Sequence, residues 1–115
     1  MMETLTVPDE QEFLDQFGTA PETLEEPWIQ RAEFETENGT LELSFDQHEK
    51  SIRFEWRQGD EVLWYFFREC ATTLSIRAEN QETRFIAEFD SEELSGEVDV
   101  RVYPRISIKD SALRN

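Results

Sequence analysis

Polar and apolar residues alternate over residues 28–36. Ala32, Phe34 and Thr36 share one side, and Arg31, Glu33 and Glu35 share the other. Successive side chains of a strand point to opposite faces, so this stretch reads as a half-buried β-strand. Asn38-Gly39 follows it. That dipeptide suits a two-residue type I′ turn, because both central positions need positive φ. A hairpin closed there sets Thr36 opposite Leu41, Phe34 opposite Leu43 and Ala32 opposite Phe45, with Glu33 opposite Ser44 on the other face. A four-residue loop over Gln47-His48-Glu49-Lys50 then sets Phe45 opposite Ile52, Leu43 opposite Phe54 and Leu41 opposite Trp56. Outside, Ser44 meets Arg53 and Glu42 meets Glu55; Arg53 and Arg57 are the diagonal neighbours that relieve this like-charged pair.

Gly59-Asp60 marks a third turn, and the strand after it breaks the alternation, since every residue from Val62 to Phe67 is apolar. An unbroken apolar run implies a strand buried on both faces. One face joins the core. The other needs a cover, either an N-terminal helix or an interface with another molecule. Two further strands follow, residues 72–78 with Leu74 and Ile76 and residues 83–90 with Phe85, Ala87 and Phe89. A turn over Glu79-Asn80-Gln81-Glu82 sets Ile76 opposite Phe85 and Leu74 opposite Ala87. Residues 96–103 place Val98, Val100 and Val102 inward, and residues 105–109 add a short piece through Ile106 and Ile108. Strands thus recur every ten residues or so. The expected fold is mainly β (α+β): an antiparallel up-and-down meander of six to seven strands, curled or barrel-like, with an N-terminal helix packed on it.

That helix is expected over residues 8–17. Thr6-Val7-Pro8-Asp9 resembles a capped start with Pro in the first turn, Phe13, Leu14 and Phe17 fall on one face, and Gly18 is a natural stop. Thr19-Ala20-Pro21-Glu22 has the spacing of a capping box and predicts a short helical turn through Leu24, ended before Pro27. The chain reads as a single domain over residues 1–115: an acidic helical segment at 1–27, the meander at 28–109 and a frayed tail at 110–115.

Composition changes this picture mainly through charge. The net charge is −16 in 115 residues. Residues 1–30 hold eight acids and no Lys or Arg, so half of the excess lies in about a quarter of the chain. Such a field disfavours nucleic acid and anionic lipid and attracts basic proteins. No apolar run approaches a membrane span, Met1-Met2-Glu3 lacks the basic start of a signal peptide, and Cys70 has no intrachain partner. A cytoplasmic protein without membrane or nucleic-acid partners is expected.

Candidate chemistry is sparse. His48 is the single histidine and sits in a hairpin loop about twenty residues from Cys70, with no zinc spacing. Asp90-Ser91-Glu92-Glu93 lacks the frame of a Ca²⁺ loop. Glu69 opposes Arg68 beside Cys70, so that thiol reads as a small apolar residue at a strand end, and no Ser lies in a Gly-x-Ser-x-Gly turn. No catalytic residue, metal or cofactor is nominated. The aromatics Trp56, Trp64, Tyr65, Phe66 and Phe67 read as core filling, with a ligand-lined cavity as the alternative.

These features favour a non-catalytic acidic protein-binding module. Small size, acidity and the lack of catalytic motifs are shared, as a class, with toxin-neutralising immunity proteins and inhibitors of nucleic-acid enzymes, which engage basic partners. The candidate partner-binding residues are Asp9, Glu10, Glu12, Asp15, Glu22, Glu25 and Glu26. The alternatives are a carrier of a small apolar ligand in a curled sheet or barrel, and a subunit of a homo-oligomer.

Overall fold

The computed structural model describes residues 4–114, with side chains through Ser111. One helix, α1 (Glu10–Phe17), precedes nine strands: β1 (Glu22–Thr23), β2 (Ile29–Thr36), β3 (Gly39–Asp46), β4 (Ser51–Gln58), β5 (Glu61–Arg68), β6 (Ala71–Glu79), β7 (Glu82–Asp90), β8 (Leu94–Tyr103) and β9 (Ser107–Arg114). The fold is mainly antiparallel β with an N-terminal helix, as the alternation predicts. Each sheet is a meander: β1-β2-β3-β4-β5 form one, and β6-β7-β8-β9 form the other. The chain leaves the first sheet at Cys70, whose φ of 63° turns it into the second. That break divides the expected continuous meander into two layers.

The space between the sheets is filled by rings. Phe34 and Phe54 from one sheet meet Phe85 from the other at centroid separations of 5.6 and 6.2 Å. Phe17 of α1 lies 4.4 Å from Phe34 and 5.2 Å from Phe85, so the helix packs against both sheets at once. Phe13 is also buried and packs on Phe85. Fully burying one such ring contributes about 1.5–3 kcal/mol. Hydrogen bonds from the segment before α1 tie it to both halves of the molecule. Leu5 N–H donates to the Gln47 carbonyl, Thr6 N–H to the Thr72 carbonyl, and Leu74 N–H to the Thr6 carbonyl.

The helix starts at Glu10, two residues later than expected, which leaves Pro8 outside it. Asp9 is the N-cap, accepting from Glu12 N–H at 2.8 Å, while its own N–H donates to the Glu12 carboxylate. Gly18 ends the helix at φ 74°. The helical turn expected through Leu24 does not form. Glu22 and Thr23 pair instead with Arg31 and Gln30 as a two-residue strand, and the Glu22 carboxylate takes Arg31 at 2.6 Å. That cross-strand ion pair uses the carboxylate a capping box needs.

The β3–β4 and β6–β7 registers fall where the sequence puts them, including Phe45 with Ile52, Leu41 with Trp56, Ile76 with Phe85 and Leu74 with Ala87. The β2–β3 register differs by two residues: Thr36 pairs with Gly39, Phe34 with Leu41 and Ala32 with Leu43. A two-residue slip keeps every side chain on its face, so the apolar layer survives. The type I′ conformation appears at Asn80-Gln81 instead, with φ of 54° and 63°. Asn38 is diverted by a tertiary contact. Its Oδ1 accepts from Ile106 N–H at 2.7 Å, and its Nδ2 donates to the Ile106 carbonyl at 3.0 Å.

Two other expectations fail. The strand at residues 61–68 is not buried on both faces: Phe66 is buried, but Tyr65 and Phe67 are 56% and 52% exposed. α1 covers neither, since its rings face Phe34, Phe85 and Tyr103. The tail beyond 109 is not frayed through Arg114, because β9 pairs with β8 as far as Leu94 with Arg114. Residue 115 lies outside the described residues.

Gly39 has φ 133°, and a Cβ on it would collide with the Arg57 carbonyl oxygen and lie 2.8 Å from Trp56 Nε1. Gly39→Ala should therefore cost about 2–4 kcal/mol in urea unfolding, and a loss below about 0.5 kcal/mol would contradict this account. Tyr103 Oη donates to the Glu35 carbonyl at 3.3 Å. Burial, followed by the Glu35 carboxylate, raises its pKa above the ordinary 10.0. The folded state thus holds the phenolic proton more tightly than the unfolded chain. Its contribution to stability is complete below about pH 10 and is lost as pH climbs through the raised value. Stability should fall more steeply above pH ~10 in the wild type than in Tyr103→Phe, as read by urea midpoints across that range.

Candidate protein-binding surfaces

The seven acids nominated from the sequence are all exposed. They lie on α1 and its cap or around the two-residue β1, and local bonds occupy four of them. Asp9 and Glu12 cap the helix, Asp15 accepts from Gln11 Nε2 at 2.8 Å, and Glu22 holds Arg31. Glu10, Glu25 and Glu26 have no side-chain partner among the described residues, and Glu25 borders a depression of about 500 Å³ with Leu24 and Ile29.

The outer face of the first sheet carries a denser arrangement. β3 presents Glu42 between Arg31 of β2 and Arg53 and Arg57 of β4. Glu42 is 8% exposed, and its carboxylate accepts from Arg31 Nη2 at 3.1 Å, from Arg57 Nη1 at 3.4 Å and from Arg53 Nη2. Arg57 also holds Glu55 at 2.7 Å and Glu33 at 3.0 Å, and Arg31 holds Glu33 at 3.0 Å. The hydrogen bonds that Arg57 donates to Glu55, first, and to Glu33, next, raise its pKa above the ordinary value. The relief of Glu42 and Glu55 by Arg53 and Arg57, legible from the register, is present. Arg31 joins it as the third cation, because the two-residue shift of β2 sets Glu33 opposite Glu42 and Arg31 opposite Ser44, diagonal to Glu42. All three arginines of this face are thereby committed to carboxylates.

Beside this network lies β5, the edge strand. It pairs Phe67 with Arg53, Tyr65 with Glu55 and, beyond an irregularity at Trp56/Arg57, Val62 with Arg57. Arg53, Glu55 and Arg57 belong to the outer face, so Phe67, Tyr65 and Val62 do too. Val62 and Leu63 are 49% and 39% exposed. Four of the seven exposed large apolar residues of the described chain therefore sit on this one strand. Asp60 and Glu61 at one end and Glu69 at the other are exposed and have no ion-pair partner among the described residues. Arg68 is held inward, over the rings of Phe66 and Phe89 at 4.7 and 5.3 Å. The sequence held the signal for this surface: continuing the Arg53–Glu55–Arg57 face across to the next strand selects Tyr65 and Phe67.

Other candidate groups do not converge. His48 stacks on Trp28 with centroids 4.1 Å apart. Cys70 lines a pocket of about 150 Å³ with Arg68, Phe89 and Gly96. A wider depression of about 500 Å³ is bordered by Glu88, Asp90 and Glu97. Trp64 and Phe66 pack with Phe54 at 6.0 and 6.1 Å, as core filling.

Removing Glu42 would leave three arginines facing one another. Glu42→Ala should cost about 1–3 kcal/mol in urea unfolding, whereas Glu37→Ala, which touches only Arg105 at 4.0 Å, should change stability by less than about 0.5 kcal/mol. Equal losses would show that Glu42 is not the organising anion.

No protein-family model and no curated protein matches the chain. Among solved structures it is similar to a chain of the contact-dependent growth inhibition toxin - immunity protein complex from Klebsiella pneumoniae 342, with a TM-score of 0.78 and 25% identity. The match covers 97% of this chain and 100% of that one, so the two share their fold from end to end.

Proposed function

We propose that the chain is a non-catalytic, acidic protein-binding module of the immunity type, which neutralises a basic partner protein in the cytoplasm. The observation that carries this reading is the end-to-end likeness to a chain of a toxin–immunity complex. Two features favour the binding role within such a pair. A net charge of −16 gives long-range attraction to a cationic protein. The exposed apolar strand beside a self-neutralised polar face suits holding a surface, which needs area and complementarity, whereas catalysis needs convergent reactive groups. The unpaired Glu10, Glu25 and Glu26 add to the field that steers the encounter.

Expression of the toxin domain encoded beside this chain's gene should arrest cells that lack the chain and spare cells that make it. The purified pair should associate about tenfold more slowly at 0.5 M than at 0.05 M salt. Equal arrest in both strains, or the lack of such a neighbouring toxin, sinks the reading; salt-independent association sinks its electrostatic part.

A further inference from the structure

Resting on that reading, we propose that the partner docks on β5. Tyr65 and Phe67 are the anchors, and Val62 and Leu63 widen the contact. The occupant is a protein surface with an apolar centre and a basic rim. Clustering is the first support. The exposed large apolar residues concentrate on this strand, and contiguous apolar surface of this kind marks interaction sites, whereas scattered single residues do not. Residue type is the second. Aromatic side chains with few rotatable bonds are the usual centres of interface energy. Position is the third. β5 is an edge, and the backbone bonds outside the ladders do not involve residues 61–69.

Charge selects the occupant. The arginines of the adjacent face are spent on Glu33, Glu42 and Glu55, so the free charge at the ends of the strip is that of Asp60, Glu61 and Glu69. A basic rim complements those carboxylates. A second copy would bring acid against acid and −16 against −16. The N-terminal acids and β5 then have separable roles: the acids accelerate encounter, and the strand sets residence time.

The experiment uses the full chain and the same toxin domain, with association and dissociation followed by biolayer interferometry. Tyr65→Ser with Phe67→Ser should weaken binding at least about 30-fold, mostly through faster dissociation. Tyr65→Arg, which sets a cation where the partner's basic rim would meet it, should weaken it comparably. Glu10→Gln with Glu25→Gln and Glu26→Gln should slow association about two- to fivefold at low salt and leave dissociation unchanged. Circular dichroism melts should match wild type, because the replaced side chains are about half exposed; if the double variant melts early, Tyr65→Arg decides. Both β5 variants binding within about threefold of wild type would overturn the assignment while leaving the immunity reading intact. Failure of the wild-type chain to bind would overturn the immunity reading itself. A wild-type dimer in light scattering that the β5 variants abolish would make a second copy the occupant and overturn the proposed partner.

Discussion

Two sheets that share no hydrogen-bonded ladder are held face to face by what lies between them, and here that is a cluster of rings centred on Phe85. Its ring lies within 6.2 Å of Phe13, Phe17, Phe34 and Phe54, so one side chain of β7 touches both the helix and the facing sheet. The helix is placed by this contact. Phe17 must reach both Phe34 and Phe85, which sends α1 to the core between the sheets and away from the outer side of β5. The exposure of Tyr65 and Phe67 is therefore a consequence of how the core is closed.

The outer face of the first sheet solves a different problem. Three arginines and four acids crowd onto β1–β4, and the buried Glu42 organises them. Charges fixed by one another have little left for a partner. The chain thus separates two kinds of acid: those consumed by the scaffold, such as Glu22 and Glu42, and those with no side-chain partner among the described residues, such as Glu10, Glu25 and Glu61. Net charge alone does not distinguish the two kinds. Only the second kind contributes an uncompensated field.

Most of the strand layout was legible because alternation and turn length act locally. The β3–β4 and β6–β7 registers follow from loop length and apolar phase, without knowledge of the other sheet. What was illegible depends on distant residues. Asn38-Gly39 looks like a type I′ turn until Ile106, 68 residues away, takes the Asn38 side chain. Glu22 looks like a capping residue until Arg31 takes its carboxylate. The apolar run of β5 reads as doubly buried because composition cannot report which elements are free to cover it. The acidic candidates lie at the surface, and the local engagement of four of them depends on neighbours that the sequence alone does not place.

The contacts that close this core are long-range in sequence. Leu5 and Thr6 bond to Gln47 and Thr72, Asn38 to Ile106, and the Glu35 carbonyl to Tyr103. High contact order of this sort slows folding, because chain closure must precede most of the stabilising contact. During synthesis the first sixty residues emerge with half of a core and no lid for it. The β5 strip is made midway along the chain, yet it acquires a rigid backing only once residues 85–106 have been added behind it. A surface backed in this way forms together with the core behind it, because β5 and the strands that support it belong to different sheets.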